Sequence, residues 1–212
     1  GIENFTILEK ASQVGGTWWH NQYPGAACDV PSHIYSFSFE TQRDWASPFA
    51  RAPEIQAYMQ GCAEKYGLMP FVRFDTSVVS ARWCDSDGQW TLETSAHETL
   101  HAHVLIAAQG MFNELSWPGI PGLGDFHGTV FHSARWRHDH DLRDQRVGVI
   151  GSAASAVQFV PEIAPLARQL TLFQRTPNWV LPKNDEPYRP ERLAYYVNAP
   201  DAVEQRRAKL WN

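Results

Sequence analysis

Val147-Gly148-Val149-Ile150-Gly151-Ser152-Ala153-Ala154-Ser155-Ala156 is the stretch on which the fold turns. A short apolar, β-branched run enters a glycine, and small residues leave it in a helical pattern. Read outward, Arg146 to Ile150 is expected as a buried strand, Ser152 to Ala164 as a helix and Leu170 to Phe173 as a second strand. That is a β-α-β unit of about thirty residues. The turn fits the dinucleotide fingerprint G-x-G-x-x-G/A at its first and last positions. Gly151 permits the tight turn, and the helix behind it points free N–H groups and a positive dipole end at a diphosphate. Ala153 departs from the pattern: glycine usually stands there so that backbone can approach phosphate closely, and a methyl holds the ligand off. A cofactor-free α/β core with the same turn is the alternative.

The far end of the next strand adds a second clue. An NAD site places an acid there for the ribose hydroxyls, whereas this strand runs into Gln174-Arg175-Thr176. Arg175, 24 positions after Gly151, carries a planar, permanently charged fork suited to a 2′-phosphate, which favours NADP over NAD. A solvated residue at a strand end is the other reading of Arg175. The candidate cofactor contacts of this unit are Gly151, Ser152, Ser155, Gln158, Arg175 and Thr176.

Upstream, Phe5 to Leu8 reads as a strand ending in Glu9, followed by a loop rich in Gly, Trp and Pro that runs to Asp29. Pro53 to Tyr66 places Ile55, Tyr58, Met59 and Cys62 at helical spacing, with Gly67 beyond the end. Val78 to Trp83, Trp90 to Thr94 and Leu100 to Ala107 read as an antiparallel meander, its first turn marked by Asp85-Ser86-Asp87-Gly88. Gly110, Pro118, Gly119, Pro121, Gly122 and Gly124 make the best linker. Glu9 sits where a ribose-binding acid belongs, with its glycine turn expected about twenty residues earlier, ahead of Gly1. A surface acid at a strand end explains Glu9 equally simply. Ala199 to Asn212 is a charged helical pattern without a cap, so both ends are expected to be cut.

Composition narrows the classes. The 212 residues carry 18 Lys and Arg against 23 Asp and Glu, and a net charge of -5 gives no general attraction to nucleic acid. Cys28, Cys62 and Cys84 are too few and too widely spaced for a disulfide framework or a Cys-x-x-Cys pair, which fits a reducing, cytoplasmic setting. Neither a targeting signal nor an apolar run near the roughly 18 residues of a membrane span is found, so a soluble protein without a membrane partner is expected. His138-Asp139-His140-Asp141 lies in a run of charges before a strand and reads as a solvated loop rather than a metal site. His97, His101 and His103 read the same way. The aromatic residues between Trp18 and Phe49 lack the interleaved bases of a nucleic-acid stacking platform.

Gly15-Gly16-Thr17-Trp18-Trp19-His20-Asn21-Gln22-Tyr23-Pro24-Gly25-Ala26-Ala27-Cys28-Asp29 resembles the [A/G]-G-x-W-x-x-x-x-[F/Y]-P-G/M-x-x-x-D motif of type I Baeyer–Villiger monooxygenases at every fixed position. Phe126, Gly128, His132 and Trp136 are similar to the family's second motif, F-x-G-x-x-x-H-x-x-x-W, from which only Arg137 departs, standing where Pro or Asp follows. The resemblance implies an α/β protein with two Rossmann-like dinucleotide-binding domains, both incomplete here. Residues 1–110 would be part of an FAD domain holding the meander, 111–136 a linker and 137–212 part of an NADP domain. It implies that NADPH reduces FAD, that the reduced flavin takes up O2, and that one oxygen atom is inserted beside a ketone carbonyl to give an ester or lactone.

By the same resemblance Gly15, Gly16 and Trp18 would pack on the flavin with Thr17 among them, Glu9 would take its ribose, and Tyr35 and Val78 would add FAD contacts. Asp29 would orient and charge an arginine that stabilises negative charge beside the flavin, an arginine expected beyond Asn212. An Asx-turn before Pro31 is the bland alternative for Asp29. His132 and Trp136 would govern closure over the cofactor, although a lone histidine is more often structural. Two functional alternatives stay open. One is an N- or S-oxygenating flavin monooxygenase, whose relatives carry Tyr or Phe where Trp136 stands. The other is an inactive fragment that binds NADP weakly.

Overall fold

The computed structural model describes residues 3–199 and 201–211. The chain forms two compact units: the N-terminal stretch to Trp19 with Gln56–Glu114, and His20–Ile55 with the chain from Leu115 onward. The architecture is the mixed α/β one that the β-α-β pattern calls for.

In the first unit, β1 (Ile7–Leu8) pairs in parallel with β2 (Val72–Arg73). The meander is β3 (Val78–Cys84), β4 (Gln89–Thr94) and β5 (Thr99–Ala102), antiparallel in the order β3-β4-β5. Gly88 closes the first hairpin at φ 60° with its N–H on the Cys84 carbonyl, and Trp83 faces Trp90 across the strands at 5.6 Å in edge geometry. The third strand stops at Ala102 rather than the expected Ala107. Its partner explains this: Ala102 pairs with Trp90 and β4 begins at Gln89, so β4 does not extend far enough to pair with Val104 and Ile106.

Helix α1 (Thr17–His20) is a single turn, and α2 (Ala52–Lys65) runs on after a Glu54 that accepts from the N–H groups of Ala46 and Arg51. Ala52, Ile55, Tyr58, Cys62 and Ala63 are its buried positions, at the 3–4 spacing of one helical face, and Gly67 at φ 64° ends it.

In the second unit, β6 (Arg146–Ile150) and β7 (Gln169–Phe173) pair in parallel, joined by α3 (Ala154–Ile163). Val149, Ala156, Phe159 and Ile163 form a core that Tyr23, Trp136, Leu142, Val147, Val160 and Leu170 cover. Burying four such side chains, at about 1.5–3 kcal/mol for each large one, is what holds a ten-residue helix that would be marginal in isolation. The helix starts two residues later than expected, because Ala153 is extended (φ -75°, ψ -174°).

Two further helices follow, α4 (Pro190–Asn198) and α5 (Ala202–Trp211). The first was not expected from the pattern, although Pro190 at its first turn, acidic Glu191 and the buried Tyr196 are the usual signs of a helix start and face. The second matches the charged helical pattern, whose last position, Asn212, and Pro200 lie outside the described residues. Tyr196, Ala202 and Val203 share a small core with Tyr188. None of the described helices is long and apolar enough to cross a membrane.

Candidate functional site

The glycine turn is built as the sequence demands. Gly151 sits at φ 99°, a region closed to most side chains, and donates its N–H to the Phe173 carbonyl at 2.9 Å. No atom lies within 4 Å of where a Gly151 Cβ would be, so the turn's face is open. The Oγ of Ser152 accepts from Gln174 Nε2 at 2.9 Å and from Asn178 Nδ2 at 3.3 Å, and Asn178 also reaches the Ser152 carbonyl. Behind the turn, the N-terminus of α3 has no side-chain cap. Its first N–H groups therefore remain available to an acceptor. Arg175 and Thr176 follow β7 and are exposed, and among the described residues Arg175 has no hydrogen-bond or ion-pair partner. Free N–H donors at the helix start and a guanidinium fork suit a phosphorylated dinucleotide.

Against the flank of α3 lies the loop that ends in Asp29. Gly25 is at φ 75°, and a Cβ there would come within 2.8 Å of the Gln158 carbonyl and 2.9 Å of Glu162 Cγ. Only glycine lets the loop meet the helix so closely. Gln158 uses its whole amide on the loop. Its Oε1 accepts from the Tyr23 hydroxyl at 3.0 Å and from Ala27 N at 3.2 Å, while its Nε2 donates to the Ala27 carbonyl at 3.0 Å and to Asp29 Oδ1 at 2.9 Å. Lys183 Nζ donates to the Cys28 carbonyl at 2.8 Å, so the backbone leading into Asp29 is tied down at Ala27 and Cys28. Burial pushes the Cys28 thiol and the Tyr23 hydroxyl above their ordinary pKa values; a hydrogen bond with Ser155 opposes the shift at Tyr23 and the nearby Asp29 charge adds to it.

The linker residues belong to the same unit. Trp136 packs edge-on against Phe131 at 5.1 Å and tilted on Phe159 of α3 at 5.2 Å. His132 Nδ1 accepts from Ala134 N at 3.1 Å, which places the proton of the neutral ring on Nε2, and Trp117 meets the ring edge-on. Tyr35 caps a short 3-10 turn over Ser32–Ile34. The acids Asp139 and Asp141 of the His-Asp run are paired with Arg137 and Arg143 at the surface. No group of three His, Cys, Asp or Glu able to hold a metal occurs among the described residues.

Glu9, Gly15, Gly16, Thr17, Trp18 and Val78 fall in the first unit. One oxygen of Glu9 accepts from Ala11 N at 2.8 Å. Gly15 is at φ 119°, with the Gln56 amide where its Cβ would be, and Gln56 Nε2 donates to the Val14 carbonyl at 2.7 Å. The Oε1 of Gln56 is buried and without a hydrogen-bond partner among the described residues. Gly16, at φ 51°, has nothing within 4 Å of a Cβ position, leaving its backbone face open to a flat ligand. Trp18 and Trp19 donate their N–H groups to the carbonyls of Gly15 and Gly16, and Val78 opens β3 beside a bulge.

Sequence reasoning missed two residues that shape the site and gave a third, Tyr23, only as a fixed position of the motif. Tyr23, Asn178 and Lys183 hold the loop and the turn through polar contacts across 135, 26 and 155 residues of chain. Periodicity carries no trace of such pairs.

The β-α-β unit, the open glycine turn and the unpaired arginine at the strand end define a dinucleotide-binding α/β protein. More particularly, the chain belongs to the flavin-binding monooxygenase-like family, whose model matches residues 4–197. It is 47% identical over 211 residues to a Baeyer-Villiger monooxygenase of Streptomyces coelicolor, covering 100% of this chain and 40% of the relative. The closed crystal structure of cyclohexanone monooxygenase superposes with a TM-score of 0.86 at 34% identity, over 95% of this chain and 39% of that one. A steroid monooxygenase bound to NADP gives 0.82 at 37% identity, over 96% of this chain and 39% of that one. The chain thus spans about 40% of the length of these relatives.

Proposed function

We propose that the whole protein is an FAD- and NADPH-dependent monooxygenase that inserts one oxygen atom of O2 beside a ketone carbonyl, giving an ester or lactone. The observation that carries this reading is Asp29: the acid that closes the Gly15–Asp29 motif is held by Gln158, a residue of the nucleotide-binding helix itself. The relatives named Baeyer-Villiger, cyclohexanone and steroid monooxygenase support the same chemistry.

When bound, NADPH supplies the hydride and FAD the ring at which oxygen is activated. The protein's part is to bind, orient and keep water away. Gly151 and the uncapped end of α3 would take the NADPH diphosphate, with Ser152 and Ser155 beside it and Arg175 with Thr176 on the 2′-phosphate. Glu9 would accept from the flavin ribose, and Gly16, whose backbone face is open, would pack on the flavin with Gly15, Thr17 and Trp18. Tyr35 and Val78 are also assigned as flavin contacts. Asp29, exposed and acceptor-only when ionised, is suited to orient a cation by a charge-assisted hydrogen bond. His132 and Trp136 would set how the linker meets α3. We assign residues 1–110 to the flavin side, 111–136 to the linker and 137–212 to the NADP side. The three free cysteines support a cytoplasmic setting.

The test is to purify the whole protein, record its flavin absorption, and follow NADPH oxidation and O2 uptake with a cyclic ketone and, separately, a sulfide. A yellow protein that turns the ketone into a lactone supports the proposal. Oxygenation of the sulfide alone would move the protein to the heteroatom-oxygenating group, and a colourless protein would sink the reading.

A further inference from the structure

Gln158 sits on the nucleotide helix at a position where a direct contact with the cofactor would be expected, yet all of its side-chain hydrogen bonds go the other way. The Oε1 holds Tyr23 and the Ala27 N–H; the Nε2 holds the Ala27 carbonyl and Asp29 Oδ1, all four between 2.9 and 3.2 Å. A primary amide offers two donors and one carbonyl oxygen, so both ends are committed. The backbone is committed too, since the Gly25 loop approaches so closely that a Cβ would fall 2.8 Å from the Gln158 carbonyl.

We propose that Gln158 is a positioning residue: it fixes the Asp29 carboxylate relative to α3, so that the helix whose N-terminus takes the nucleotide also sets the orientation of the acid. The proposal rests on the role given to Asp29 above. Gln158 touches neither ligand; it acts through Asp29 and through the Ala27 peptide on which the Asp29 backbone hangs. Its amide is the right group for this task. A glutamate would keep the acceptor for Tyr23 and Ala27 but turn a lone pair toward a carboxylate, and a leucine would remove all four hydrogen bonds to the loop, leaving the Ala27 peptide and Asp29 without this partner.

The experiment uses the whole protein with Q158E, Q158L and D29N, and the Q158E/D29N pair. In Q158E the Ala27 amide should keep its hydrogen-exchange protection to within about three-fold, because its acceptor survives. The KM for NADPH and the Kd for NADP+ should stay within about two-fold, while kcat for ketone oxygenation falls about ten-fold or more, the pattern of a lost transition-state arrangement rather than lost binding. Q158L should instead expose the Ala27 amide to exchange. In the paired variant the new amide at position 29 can donate to the new carboxylate at position 158, so the melting temperature lost in Q158E should return while oxygenation does not.

A matched rise in NADPH KM and NADP+ Kd at unchanged kcat would make Gln158 a cofactor ligand and overturn the proposal. So would a paired variant that melts no higher than Q158E, which would mean that the two side chains do not bond in solution. If the unmutated protein oxygenates no ketone, the reading of function fails by itself, and the melting cycle and Ala27 exchange still decide whether Gln158 holds Asp29.

Discussion

Replacing Arg175 by alanine in the whole protein isolates one interaction with unusual clarity. The residue is exposed, follows β7, and has no hydrogen-bond or ion-pair partner among the described residues, so its removal should leave the fold untouched. On the proposed assignment, what would be lost is a charge-assisted, two-pronged contact with a 2′-phosphate, worth about 1.5–3 kcal/mol. At about 1.4 kcal/mol per decade, NADP+ affinity should fall roughly ten- to 150-fold while NAD+ affinity moves less than two-fold. Titration calorimetry with the two nucleotides reads this directly, and a melting curve checks that the fold is intact. Because the site is open to solvent, raising the salt to about 0.5 M should shrink the difference between wild type and variant. Equal losses for both nucleotides, or no loss for either, would refute the assignment of Arg175 to the 2′-phosphate.

Three other perturbations carry defined outcomes. Ala153→Gly should keep or tighten NADPH binding, since the residue before α3 is extended and its methyl is all that separates this turn from the full glycine pattern; a ten-fold loss in titration would show that the methyl belongs to the site. Phe159→Ala should lower the stability of the β6-α3-β7 unit by about 3–5 kcal/mol, measured by denaturant melts of the unit's tryptophan fluorescence, because the ring is 93% buried between Tyr23 and Trp136. His33 gives the pH dependence. Burial, then the charges of Arg206, Arg192 and Arg207, hold its pKa down at about 4, so the folded state keeps it neutral where the unfolded chain would protonate it. Its contribution is complete above the ordinary histidine pKa and is lost as pH falls from about 6.5 toward 4, up to about 3 kcal/mol. His33→Phe should flatten the melting temperature across that window, and an unchanged slope would discount the residue.

The parts legible in the sequence are those set by local rules. Gly151 after a β-branched run, Gly67 after an amphipathic stretch and Gly88 in an Asp-rich turn each occupy the positive-φ position that their neighbours require, and the helix and hairpins follow from them. Where a partner decides, the sequence is silent. The meander's third strand carries apolar residues as far as Ile106 but ends at Ala102, since the length of β4 limits it. Ser152 reads as the first helical residue until Gln174 and Asn178 claim it. Helix α4 escapes a pattern search because its buried face rests on one residue, Tyr196, whose neighbour is a His33 more than 160 positions away. For the site, the motif residues could be named through the family resemblance their pattern carries, while Gln158 could be placed only on the cofactor side, as one more position of the fingerprint helix.

That placement has a mechanical consequence. Gln158 stands four residues into α3, about 6 Å along the axis from the helix start at Ala154. The segment between is not free to bend independently: Ala156 and Phe159 are packed against Val149 below, and Tyr23 and Trp136 cover Phe159 from the loop and the linker. A close-packed helix shifts as a body. Any ligand that draws the first turn of α3 toward itself therefore moves the Gln158 amide with it, and Asp29 follows through a 2.9 Å hydrogen bond. The linker ring at Trp136 rests on the same phenylalanine, so the nucleotide turn, the acid and the linker share one rigid element.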